Sequence, residues 1–109
     1  MKNPEDWSRF SSPQGFIRLI LLVDWDPVGV LGYAEAMDEY DRYAPAIYDL
    51  LRNGATVAEL TAHLKKIESE RIGIRANPRM PTIAVASKLR TVFGMMQQYQ
   101  ALTAPKLNP

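Results

Sequence analysis

Residues 24–51, DWDPVGVLGYAEAMDEYDRYAPAIYDLL, constrain this chain more than any other stretch, because they join its most apolar run, FIRLILLV at 16–23, to a helix that must stop at Asn53-Gly54. No helix can pass through them undisturbed. Pro27 pushes Asp26 out of the α region, so a helix built on the apolar run ends by Trp25 or before. The stretch also carries seven carboxylates, Asp24, Asp26, Glu35, Asp38, Glu39, Asp41 and Asp49, against one cation, Arg42. In a chain of net charge +1 that segregation marks either a partner-facing surface or an internally paired connection. Residues 52–90 have the opposite balance, eight cations against three acids, so the acidic connection is expected to pack against a basic helical pair.

The 109 residues have room for one core, and 47% hydrophobic with 23% charged residues is a globular composition. The absence of cysteine excludes disulfides, thiolate metal sites and cysteine nucleophiles. The run at 16–23 falls short of the roughly 20 residues that span a bilayer. Arg18 interrupts it, and DWDP follows where a signal peptide would need small residues, so the expectation is a cytoplasmic protein with no membrane partner and no cofactor.

Four helices are expected. Ser12 and Pro13 suit the N-cap and first turn of one running to Val23, apolar nearly all round and therefore central. VGVLG at 28–32 reads as a loop or single turn. A second helix begins near Tyr43 or Ala44, with Pro45 in its first turn, and ends at Arg52 before a left-handed cap at Asn53-Gly54. The third has a capping box at Thr56 and Glu59. Val57, Leu60, Leu64, Ile67 and the stem of Arg71 form its inner face, Glu68, Ser69 and Glu70 point out, and Gly73 stops it. Thr82 caps a fourth helix reaching about Gln100, whose buried face is Ile83, Ala86, Leu89, Val92, Phe93, Met96 and Tyr99. The expected organisation is an N-terminal arm at 1–12, a single all-α domain at 13–100 with an irregular acidic connection between its first two helices, and a flexible tail at 101–109.

The chemistry-bearing residues are few. Asp24, Asp26, Gly29 and Glu35 occupy positions one, three, six and twelve of a calcium loop, but Val28 offers no side-chain oxygen at position five and Pro27 stiffens the turn, so capping is the stronger reading. His63 is the single imidazole, without a second histidine or a cysteine to complete a metal set, and no serine lies in a G-x-S-x-G elbow. Enzymatic function by nucleophilic catalysis is therefore not expected. The basic residues Lys65, Lys66, Arg71, Arg75, Arg79, Lys88 and Arg90 are dispersed, which argues against a nucleic-acid groove.

WDPVGV at 25–30, DEYDRYAPAIYDLLRNGAT at 38–56 and IESERIGI at 67–74 together resemble a family of small uncharacterised bacterial proteins with WDPxGV and DEYD motifs, the likeness covering about residues 16–92. The resemblance implies an all-helical single domain with no established activity, of a general type suspected of immunity or inhibitor roles. Its implied signature positions are Trp25, Asp26, Pro27, Gly29, Asp38, Glu39, Tyr40, Asp41 and Glu68.

Three functions follow as expectations. The first is a non-catalytic protein-binding module that meets a basic partner through Tyr33, Asp38, Glu39, Tyr40 and Asp41. The second is a cation-dependent site built from Asp24, Asp26, Asp38, Glu39 and Asp41. The third is weak nucleic-acid binding through the basic helices.

Overall fold

A computed structural model describes residues 14–30, 32–33, 38–73 and 76–103, with side chains to residue 99. It is a bundle of four helices, and no strand occurs among the described residues. Helix α1 (Gly15–Ile20) runs straight into a wider π turn (Leu21–Trp25) closed by Asp26 N–H donating to Leu21 O at 2.8 Å. Asp26 then adopts φ 33° and ψ 57°, outside the right-handed α region as expected before Pro27, but left-handed where a following proline ordinarily favours extended backbone. The expected caps, Ser12 and Pro13, lie outside the described residues.

A 3-10 turn (Asp41–Tyr43) leads into α2 (Ala44–Arg52), where Pro45 stands in the first turn and lacks only an N–H that would have no helical partner. Gly54 supplies the left-handed step after it, while Asn53 keeps a negative φ. Helix α3 (Val57–Ile67) opens on the expected capping box, with Glu59 N–H donating to Thr56 Oγ1 and Thr56 N–H to Glu59 Oε1.

The end of α3 departs from a regular 3.6-residue period. Residues Glu68–Ile72 form a second π turn, and the extra residue in that turn moves the side chains after it back by about 100°. Ile72 consequently packs against the core in the place expected of Arg71, which is exposed.

Helix α4 (Thr82–Thr103) is the longest, and it continues as helix through the first three residues of the expected tail. Its inner face is Val85, Ala86, Leu89 and Phe93, with Val92 and Met96 half-buried. Ile83 and Tyr99, expected inside, are 60% and 69% exposed. The inner face begins at Thr82 and Val85, and places Ile83 and Tyr99 off the buried arc.

Trp25 sits at the centre of the packing with no exposed surface, stacked at a tilt on Tyr40 (centroids 5.6 Å apart) and edge-on to Tyr43 (6.3 Å). Ile17, Leu21, Ile47, Leu60, Leu64 and Leu89 close the core around it. Phe93 bridges the far end, meeting Phe16 of α1 and Tyr48 of α2. No described helix is long and apolar enough to cross a membrane.

Candidate functional site

The left-handed turn at Asp26 aims its carboxylate inward, where it is 1% exposed. Oδ1 accepts from Gly29 N–H (3.1 Å), Val30 N–H (2.8 Å) and the Tyr40 hydroxyl (2.7 Å), and Oδ2 accepts from Arg79 Nε (3.2 Å). The Tyr40 oxygen in turn accepts from Val28 N–H at 3.0 Å. A buried carboxylate is tolerated when its lone pairs and charge are both met, and here two N–H groups, one hydroxyl and one guanidinium meet them. Tyr40 feels the opposite pressure. Burial first, and then its hydrogen bond to Asp26, push the phenol pKa well above its ordinary value of 10.0.

A second knot lies beside the first. Glu68 Oε2 accepts from the Trp25 indole N–H at 2.8 Å and from Thr82 Oγ1 at 2.6 Å. The Thr82 hydroxyl thus reaches Glu68 from the start of α4, where the N–H groups of Ala84 and Val85 donate to Pro81 O. The connection before α4 is laced to the same bend by Asn77 N–H to Pro27 O, Arg79 N–H to Trp25 O and Met80 N–H to Asp24 O.

The carboxylates expected to form one cation site are held apart, three of them by cations from other elements. Asp24 pairs with Lys88 of α4 at 2.7 Å, Asp26 with Arg79, and Asp41 with Arg18 of α1 at 3.8 Å. Among the described residues no three His, Asp or Glu side chains converge to hold a metal, and Glu35 lies outside them. Several basic residues are committed inward as well: besides Arg79 and Lys88, Arg90 Nη1 donates to Leu51 O and Ala55 O.

Of the residues expected on the partner-facing surface, Tyr40 is 2% exposed and belongs to the core. Packing on Trp25 and the bond to Asp26 remove it from the surface. Asp38 is exposed, Glu39 and Asp41 are half-exposed, and Tyr33 is 63% exposed. Trp25, Asp26 and Pro27 are all buried, Gly29 carries a φ of 79° that favours glycine, and Glu68 joins them through Trp25. Arg79, Thr82 and Lys88 complete this network without any local sequence signal.

His63 stands elsewhere, half-buried on the rim of a depression of about 430 Å3 between α2 and α3, with Asp49, Leu50 and Glu59. Burial, and secondarily the charge of Lys66, hold its pKa below the usual histidine value. No protein family, curated protein or solved structure matches the chain.

Proposed function

We propose that the chain is a non-catalytic protein-binding module that takes a basic partner surface on the turn carrying Asp38, Glu39 and Asp41, with Tyr33 as an aromatic contact. The observation that carries this reading is the division of labour at Tyr40. Its ring and hydroxyl are spent on Trp25 and Asp26, which anchors the turn, while Asp38 beside it is exposed and makes no ion pair among the described residues. A fixed backbone presenting exposed charge loses little conformational freedom on binding, and complementary charge speeds encounter with a basic partner. The likeness to the WDPxGV and DEYD proteins adds the narrower proposal of an immunity or inhibitor role.

The test is capture on the immobilised full chain at about 50 and about 300 mM salt, since exposed charges are screened over roughly 8 Å at physiological ionic strength. Basic partners released by salt, and lost by an Asp38→Lys, Glu39→Lys variant that keeps its helical circular dichroism, support the reading. Acidic partners, or capture indifferent to both salt and the variant, sink it.

A further inference from the structure

We propose that the depression between α2 and α3 receives a cationic side chain of the partner, an arginine or lysine whose stem lies on Ala46, Leu50 and Ala55 and whose charge reaches Asp49 and Glu59. The inference rests on the reading of the chain as a module for a basic surface, and gives that surface a second point of attachment.

The depression combines what such a side chain needs. It has a volume of about 430 Å3 and is lined by Ala46, Leu50 and Ala55 together with the exposed carboxylates of Asp49 and Glu59. A long basic side chain binds through both parts, burying its methylenes while its charged end stays at the rim. The Glu59 carboxylate is oriented by its capping-box bond from Thr56 N–H through Oε1, and Oε2 makes no hydrogen bond among the described residues. Asp49 already shows what the rim accepts. Its Oδ1 holds the guanidinium of the chain's own Arg52 at 3.2 Å, with both side chains about 60% exposed. An ion pair so exposed is weakly held, and a partner's cation can share or replace it. His63 does not oppose the incoming charge, because burial favours its neutral form near neutral pH.

The experiment is a two-dimensional amide NMR titration of the full chain with N-acetyl-arginine methylamide, against N-acetyl-norleucine methylamide as an uncharged probe with an aliphatic side chain. Saturable shifts at Asp49, Glu59 and His63 are expected with the cationic probe and not with the neutral one. Asp49→Asn with Glu59→Gln should weaken the apparent affinity by about tenfold, the loss of a charge-assisted contact. Arg52→Gln, which frees Asp49, should strengthen it. Shifts that ignore these three substitutions, or that appear equally with norleucine, overturn the proposal. Shifts confined to Asp38 and Glu39 also overturn it, while leaving the acidic-turn reading standing. Loss of partner capture in the Asp38→Lys, Glu39→Lys variant with the arginine shifts intact supports two separate contacts.

Discussion

The indole N–H of Trp25 donates to Glu68 Oε2 at 2.8 Å across 43 positions of chain, and the Thr82 hydroxyl donates to the same atom at 2.6 Å. One carboxylate oxygen thus joins the end of α1, the end of α3 and the start of α4. Both bonds are local in space and remote in sequence, so the shared oxygen is fully used only where all three segments meet.

Removing that oxygen should cost more than its half-buried position suggests. Glu68→Ala leaves an indole N–H and a hydroxyl without an acceptor, and each donor stranded away from water costs roughly 1–3 kcal/mol. A loss of about 2–4 kcal/mol is expected in urea unfolding followed by tryptophan fluorescence. Glu68→Gln keeps a carbonyl oxygen that can accept from both donors but carries no charge, and should lose about half as much. Equal losses for the two variants would mean that the carboxylate does not serve as the shared acceptor.

Asp26 and Tyr40 should behave as one unit. Asp26→Ala leaves two N–H groups and the Tyr40 hydroxyl without their acceptor, and puts a β-carbon residue without a hydrogen-bonding side chain at φ 33°. Arg79 is about half exposed and can turn to water, so the cost comes from the stranded donors and the strained backbone and should reach about 2–4 kcal/mol. Asp26→Asn retains an acceptor and tolerates the left-handed backbone, so it should cost less. Tyr40→Phe removes one bond to Asp26 and should cost about 1.5–3 kcal/mol. In the double variant Asp26→Asn, Tyr40→Phe, the penalties should fall short of additivity by at least about 0.5 kcal/mol, as contacting residues do. Simple additivity would separate the two residues energetically.

Much of this arrangement is legible in the sequence, and the reasons for the rest are physical. Pro27, the Thr56 and Glu59 capping box and the Gly54 step depend on one or two neighbours each, so local rules locate the ends of α1 and α2 and the start of α3. The role of Glu68 is not local. It lies about 80° from Leu60 on a regular helix, at the edge of the inner face, and only the arrival of Trp25 and Thr82 makes it an acceptor. Arg71 and Ile72 exchange places because a π turn adds a residue, and nothing in ESERI announces that turn. Tyr40 shows the same limit at the candidate site. A tyrosine among carboxylates suits a surface or a buried hydrogen bond equally well, and the left-handed Asp26 decides for the latter.

His63 gives a pH dependence at the acid end. Its pKa is lowered in the folded state from 6.5, chiefly by burial, so below that value the unfolded chain binds the proton more readily. Stability from this group is therefore fully present above pH 6.5 and declines as pH falls through and below it. Between pH 7 and 5 the wild-type chain should lose melting temperature relative to His63→Gln, because the carboxylates common to both titrate alike. An imidazole titration by proton NMR at or above 6.5 would remove the effect.

Tyr40 gives the corresponding dependence in alkali, with the direction set by the neutral hydroxyl being the form that the fold accommodates. Its folded pKa lies above the ordinary 10.0 because burial and the Asp26 carboxylate both disfavour a phenolate. The unfolded chain consequently gives up this proton first, near pH 10, while the folded one holds it. Stability from the group is intact below pH 10 and is lost as pH rises from there toward the folded pKa. Tyr33, half-buried Tyr43 and Tyr48, and exposed Tyr99 are common to the wild-type and Tyr40→Phe chains, so the difference between them isolates Tyr40. From pH 9 to 11 the melting temperature of the wild-type chain should fall more steeply than that of Tyr40→Phe, narrowing the gap measured at pH 7. In an ultraviolet titration one phenol should ionise only with unfolding, and that delayed step should vanish in the variant. A gap unchanged across this range would show that the Tyr40 hydroxyl ionises as freely in the fold as outside it, and that the bond to Asp26 does not hold the turn.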